Sequence, residues 1–137
     1  MNRIDFQEIA EIRLRESRAL LAAGFPEGAY YLAGYAVECA LKACIAKRTR
    51  EHDFPEKKLA NDSHTHNLKE LLRLAELNSE LDRLIAANAG MASALDKVLD
   101  WSETSRYQRK TAQDAADLLD AVEDRPGGLL PWIRLHW

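Results

Sequence analysis

Residues 28–46 constrain the fold more than any other part of this sequence. The segment reads GAYYLAGYAVECALKACIA and carries only two charged residues, Glu38 and Lys42. On a helix, its apolar side chains would point in almost every direction, and such a helix needs neighbours that cover most of its surface. We therefore expect a helix from Pro26 to about Lys47 at the centre of a helical bundle, with its small residues letting neighbouring helices approach closely.

Helix-start patterns divide the rest of the chain into shorter helices. Asp5 with Glu8, Asn67 with Glu70, and Thr111 with Asp114 each have the spacing of a capping box, in which two side chains bond each other's backbone N–H groups. The predicted helices span residues 5–23, 26–47, 67–77, 78–101 and 111–123. Gly24 ends the first, Asn78–Ser79 caps the fourth, and Gly90 interrupts the fourth. Polar residues 49–66 and 102–110 indicate surface connections. No segment is typical of a strand, so we predict an all-α fold, an antiparallel up-and-down bundle of four or five helices.

The length and the net charge of the chain limit how the protein can be organised. The 137 residues suit one domain over 1–137, with a helical core over 5–124 and an apolar tail over 126–137. The tail either packs on the bundle or meets a partner. The net charge of −3 gives no general attraction to nucleic acid or anionic membranes, so such contact would need a local patch. With no apolar leader at the start and no uncharged stretch long enough to cross a bilayer, we expect a cytoplasmic protein without membrane contact.

One face of the central helix carries polar residues at helical spacing. Tyr31, Tyr35, Glu38 and Lys42 share this face, and Glu38 precedes Lys42 by four residues, the favourable order for an ion pair. The pair is either an internal ion pair or seam, or part of a polar niche that binds a ligand. Because an isolated buried charge is costly, Glu38 needs a partner, and Arg106 is the partner we expect.

The segment RYQRK, residues 106–110, is the local basic patch with an aromatic residue. Arg106, Tyr107 and Arg109 lie where we expect a helix to begin, and exposed backbone N–H groups there favour anions. The patch is either a docking point for a phosphate or an RNA backbone, or a solvated connection with ordinary positive charge.

The spacing of the histidines and cysteines favours neither a metal site nor a catalytic nucleophile. His64 and His66 are two residues apart, whereas a zinc site needs three or four ligands, so helix-entry hydrogen bonding is the simpler interpretation. Cys39 and Cys44 would lie on different faces of one helix, so they cannot bridge and are expected as reduced core residues. We therefore assign no metal and no cofactor.

Four motifs together resemble a HEPN domain, a prokaryotic and eukaryotic nucleotide-binding helical bundle. They are LLAAG at 20–24, the apolar segment 28–45, HNLKELL at 66–72, and SRY at 105–107. The resemblance implies a bundle similar to the C-terminal domain of kanamycin nucleotidyltransferase, usually homodimeric. It also implies a possible minimal nucleotidyltransferase as partner, in an arrangement like a toxin–antitoxin pair.

Catalytic members of that family are metal-independent RNases with an R-x(4–6)-H motif. Arg106 matches the arginine, but the histidine would fall at Thr111, Ala112 or Gln113. The resemblance therefore implies a non-catalytic module that binds a nucleotide or RNA phosphate, or a partner. The residues we expect at that site are Arg106, Tyr107, Glu38, Lys42, Tyr35 and Arg109.

Two alternatives remain open. One is an RNase toxin that uses Arg106 with a different acid or base, drawn from His64, His66 or Glu38; Arg106 and His66 are then its catalytic candidates. The other is a structural or regulatory dimerisation protein that uses the apolar tail as its contact.

Overall fold

The fold is entirely helical in the part that the structure, a computed structural model, describes: residues 1–51, 57–123 and 127–137. These ranges hold eight α-helices, one short 3-10 helix and no strand. They are α1 Arg3–Ala22, α2 Pro26–Glu51, α3 Lys57–Asp62, α4 Leu68–Leu74, α5 Asn78–Ala87, α6 Ala89–Leu99, the 3-10 helix Glu103–Tyr107, α7 Ala112–Glu123 and α8 Leu129–Arg134. Over the same ranges, no helix is both long enough and apolar enough to cross a bilayer.

Helix α2 is the central element of the bundle, as predicted. It packs against α1, α4, the 3-10 helix, α7 and α8. Ala33, Val37 and Leu41, on successive turns, are fully buried among these neighbours. The helix runs to Glu51, one turn beyond the predicted end.

Three helix boundaries follow the predicted chemistry. Gly24, just after α1, has a φ of +85°, a conformation that only glycine adopts without strain. Asn67 caps α4 by accepting a hydrogen bond from the Glu70 N–H at 3.1 Å. At the start of α7, the Thr111 hydroxyl accepts from the Asp114 N–H, and the Asp114 carboxylate accepts from the Thr111 N–H. These local patterns specify helix starts without help from distant residues.

The predicted start of α1 was wrong by one turn. Asn2, not Asp5, is the N-cap, and Asp5 is the reciprocal member of the box. The Asn2 side chain accepts from the Asp5 N–H at 3.0 Å, while the Asp5 carboxylate accepts from the Asn2 N–H at 2.7 Å. Asn2 and Asp5 have the same spacing as Asp5 and Glu8, and the earlier pair adds a further turn of helix.

The predicted helix over 78–101 is two helices, broken at Asn88. That residue is extended, ends α5 and begins α6, and its side chain accepts a hydrogen bond from the Gly90 N–H at 3.1 Å. An asparagine that bonds its own backbone competes with helix continuation. The predicted cap of α5 was also wrong, because its N-cap is Leu77, which makes no side-chain capping bond.

The predicted loop over 49–66 is partly helical. Its first residues extend α2 to Glu51, and α3 occupies Lys57–Asp62. Leu59 of α3 packs partly buried against the core, which explains why this polar segment turns helical there. Residues 52–56 of the prediction lie outside the described residues.

Trp101 covers the middle of α2 because Gly34 has no side chain. A Cβ at Gly34 would lie only 2.2 Å from the indole of Trp101, so only glycine fits. This close approach places the segment between α6 and the 3-10 helix directly on the polar face of α2.

The apolar tail packs on its own bundle, the first of the two outcomes expected for it. Leu129, Leu130, Trp132 and Ile133 of α8 are buried. Arg134 holds the Glu11 carboxylate of α1 through two hydrogen bonds of 2.7 and 3.0 Å. The tail is therefore part of the core, and residues 124–126, which connect it to α7, lie outside the described residues.

Candidate functional site

The polar face of α2 carries the aromatic and charged residues on one line. Tyr31 and Tyr35 stack with ring centroids 6.0 Å apart and planes 9° apart. One turn further, the Lys42 ammonium lies 2.9 Å from the Glu38 carboxylate. We call Tyr31, Tyr35, Glu38 and Lys42 the polar face of α2. These four residues place aromatic and charged groups along about three turns of one side of the helix.

His66, not Arg106, is the second partner of Glu38, so that part of the prediction was wrong. The His66 Nδ1 lies 2.9 Å from the same Glu38 oxygen, Oε1, that bonds Lys42. His66 precedes α4, which packs against α2, and this packing brings the imidazole to the carboxylate. The other oxygen, Oε2, is buried and has no hydrogen-bond partner among the described residues.

The environment of Glu38 determines how His66 presents its ring. Glu38 is 1% exposed, whereas the His66 side chain is 51% exposed. Because a carboxylate oxygen accepts hydrogen bonds, Nδ1 must carry the proton that it donates to Glu38. With Nδ1 directed at Glu38, Nε2 is the ring nitrogen that remains available to a ligand.

Arg106 lies on the surface beside the aromatic end of the polar face. Its guanidinium carbon lies 4.9 Å from the centroid of the Tyr107 ring. Contact with the Tyr107 side chain, and less strongly with Tyr31, raises the pKa of Arg106 above its usual range. Among the residues placed by the structure, no carboxylate lies within 4 Å of this guanidinium. The charge is therefore fixed and available to an anion.

Trp101 joins the two ends of this surface and was missed by the sequence reasoning. Its ring stacks on Tyr31 with centroids 6.0 Å apart. Trp101 and His66 also line one cavity of about 420 Å³, with Ser102 and Glu103 on the same wall. A tryptophan just ahead of the SRY motif was the available signal. The arrangement runs from Arg106 through Tyr31 and Trp101 to His66, with Glu38 beneath the imidazole.

The remaining predicted site residues lie apart from this arrangement or at its edge. Lys42 and Tyr35 also line a second cavity of about 650 Å³ between α1, α2 and α3, and His64 belongs to that cavity. Arg109 is exposed in the connection before α7. His64 and His66 therefore face different cavities despite their spacing.

The positions at which the RNase motif would place histidine serve other purposes. The Thr111 hydroxyl is used in the cap of α7. Ala112 has no proton-transfer group, and the Gln113 amide donates to Asp117 at 2.7 Å. None of these side chains is an acid or base that could replace an imidazole.

The cysteines are buried and far from reactive ionisation states. Burial raises the pKa of Cys39 to about 11 and that of Cys44 to about 12. Both are free thiols. No group of three or more His, Cys, Asp or Glu side chains with the arrangement of a metal site occurs among the described residues.

A family model described as "HEPN domain" matches residues 5–124. No curated protein and no solved structure matches the chain significantly.

Proposed function

Because the chain belongs to the HEPN domain family, we propose that it is a non-catalytic module that binds the phosphate of a nucleotide or of an RNA strand at Arg106. The observation that carries this proposal is the exposed Arg106 guanidinium, held on the Tyr107 ring and beside Tyr31. Arginine presents several N–H donors in one plane, which matches the geometry of phosphate oxygens.

Aromatic surfaces next to Arg106 support a nucleotide as the ligand. The Tyr107 side chain is 79% exposed, and the half-buried rings of Tyr31 and Tyr35 follow along α2. Bases stack on exposed aromatic rings without strong sequence preference, while a cation holds the phosphate. Arg109 adds a second positive charge to the same connection. Together these residues suit a nucleotide or a short single strand.

The proposal of a non-catalytic role rests on the residues after Arg106. Thr111, Ala112 and Gln113 occupy the positions of the RNase histidine and supply no proton-transfer group. An arginine without that partner binds a phosphate but does not by itself move the protons that cleavage requires.

The partners we propose are a second copy of the chain and a minimal nucleotidyltransferase, as in a toxin–antitoxin pair in the cytoplasm. Family membership supports both partners, since resembling proteins pair in this way. Large apolar side chains that remain exposed, Ile4, Ile12, Phe25 and Leu135, offer surface for such contacts. Co-purification with a nucleotidyltransferase encoded beside its gene, and sedimentation of the purified protein, test the two partners separately.

Fluorescence anisotropy with a labelled single-stranded RNA tests the proposed ligand. We expect salt-sensitive binding that Arg106→Ala weakens by about tenfold or more, the range for a hydrogen bond to a charged group. The matched control is Arg83→Ala, because Arg83 is another exposed arginine, paired with Glu80 on α5. A wild-type protein that ignores RNA and nucleotides, or an Arg106→Ala variant that binds like the wild type, refutes the proposal.

The second candidate function is RNA cleavage with a different acid or base. The contact between Glu38 and His66 favours it, because a buried carboxylate behind an imidazole is a common arrangement for proton transfer. Growth arrest on expression, relieved by both Arg106→Ala and His66→Phe, would support cleavage. Intact cellular RNA and unharmed cells would rule it out.

A further inference from the structure

The imidazole of His66 is held by its Nδ1 contact with Glu38, on the face of α2 that also carries Tyr31 beside Arg106. Lys42 and His66 both bond Glu38 Oε1 at 2.9 Å, and the carboxylate is 1% exposed. The ammonium balances the buried negative charge, so Glu38 can remain an acceptor for the Nδ1–H of His66. The free ring nitrogen, Nε2, is then a hydrogen-bond acceptor toward any ligand in front of it.

The cavity in front of His66 is suited to hydroxyl groups rather than to phosphates. Besides His66 and Trp101, its wall includes Asp100, Ser102 and Glu103. Two carboxylates repel an anion but accept hydrogen bonds from hydroxyls, and Lys69 is a cation on the same wall. Arg106 is the better place for a phosphate, and this cavity is the better place for a sugar.

One strand can reach both places. Tyr31, beside Arg106, and Glu38, beneath His66, are seven residues apart on the same face of α2, a rise of about 10 Å. Trp101 lies between them, since it stacks on Tyr31 and shares the cavity with His66. Trp101 is 3% exposed, so it supports this surface from beneath, and the strand stacks on the exposed Tyr107 ring and the half-buried Tyr31 ring. A strand of a few nucleotides spans such a distance.

We propose that His66 recognises the ribose 2′-hydroxyl, so that the site selects RNA over DNA. The hydroxyl donates to Nε2, and Glu38 is the positioning residue that keeps the acceptor in place. The 2′-hydroxyl is the group by which proteins distinguish RNA from DNA. This inference rests on the proposed phosphate-binding function and adds the class of strand that the site accepts.

The first test changes only the ligand. Anisotropy titrations compare three labelled strands of one sequence: RNA, 2′-O-methyl RNA and DNA. The methyl group keeps the oxygen but removes the donor, so we expect the wild type to bind RNA about three- to tenfold tighter than the methylated strand, the range for one hydrogen bond. Equal affinity for RNA and 2′-O-methyl RNA overturns the inference, whether or not any variant folds.

The second test assigns the preference to His66. His66→Phe keeps a planar ring but removes the acceptor, and we expect equal binding of RNA and 2′-O-methyl RNA. The matched control is His64→Phe, which changes a histidine two residues away in the other cavity and should keep the full preference. Circular dichroism confirms that both variants fold. A preference that survives in His66→Phe overturns the inference and leaves His66 as a structural link between α4 and α2.

Two further experiments distinguish a failure of this inference from a failure of the proposed function. Arg106→Ala should weaken all three strands alike and leave their ratio unchanged, so a lost phosphate site and a lost sugar preference give different results. A comparison of the affinities for a ribonucleoside monophosphate and for its 2′-deoxy form shows whether the site recognises the hydroxyl of a free nucleotide or only that of a strand. Cleavage of the RNA that depends on His66 overturns the inference, because the imidazole would then transfer a proton rather than accept a hydrogen bond.

Discussion

Replacement of Gly34 by alanine tests the packing on which the candidate site is built. The new Cβ would lie 2.2 Å from the nearest indole atom of Trp101, whereas ordinary contacts begin at 3.4 Å. The indole must therefore move by about 1.2 Å, the difference 3.4 − 2.2. Trp101 is 3% exposed and stacked on Tyr31, so it has little room to move.

The expected free-energy change follows from two opposing effects. Overpacking of a close-packed region costs about 1–3 kcal/mol, and the displacement of a buried indole by more than 1 Å takes the cost to the upper end of that range, about 3 kcal/mol. Alanine in the middle of a helix regains about 1 kcal/mol relative to glycine. We expect Gly34→Ala to lower the free energy of unfolding by a net amount of about 2 kcal/mol and the Tm by about 5–10 °C.

Urea and thermal unfolding followed by circular dichroism measure this change. The control is Gly90→Ala at the start of α6, where a new Cβ meets only the Asn88 side-chain oxygen at 3.4 Å. That variant should be as stable as the wild type or slightly more stable. A Gly34→Ala protein that matches or exceeds the wild type in stability would refute the reasoning, since the indole could not then lie on Gly34.

Three other variants or conditions test separate parts of the fold. Asn2→Ala removes the cap of α1 and should lower the free energy of unfolding by about 1 kcal/mol in urea titrations; an unchanged midpoint would mean that the capping box contributes nothing. Burial raises the pKa of Cys39 and Cys44 from 9.0 to about 11 and 12, so the unfolded chain loses these protons first. Their contribution to stability is complete below pH 9.0 and falls as the pH rises toward 11 for Cys39 and 12 for Cys44. Cys39→Ala should make that alkaline decline shallower, and an equally steep decline would contradict this expectation. Leu130→Ala, at a fully buried position of α8, should cost about 2–5 kcal/mol, whereas a small effect would mean that the tail is not part of the core.

Features that depend on nearby residues were predictable from the sequence. The central place of α2 follows from its apolar surface, and Gly24, Asn67 and Thr111 mark helix boundaries through their own backbone or side-chain chemistry. The errors at Asn2 and Asn88 are also local, but at each point two patterns competed. Sequence spacing alone does not show which capping pair forms or where a long helix breaks.

Features that depend on distant residues were not predictable. Glu38 clearly needed a partner, yet the choice between Arg106 and His66 depends on how α4 and the 3-10 helix pack on α2. Gly34 was recognised as a small residue, but nothing in its neighbourhood indicated that an indole 67 positions later would cover it. The sequence therefore predicts which residue types form the candidate site, whereas the structure shows how these residues are arranged.

Mapping of ligand-induced changes by NMR tests the central claim most directly. The claim is that the surface from Arg106 and Tyr31 to His66, with the buried Trp101 beneath it, binds a ribonucleotide strand. In ¹H–¹⁵N spectra recorded during titration with a short single-stranded RNA, we expect the largest shifts at the Arg106 side chain, the Trp101 indole N–H and the backbone near His66. Shifts that instead cluster around Trp137 and the outer side of α1, with these three signals unchanged, would contradict the account.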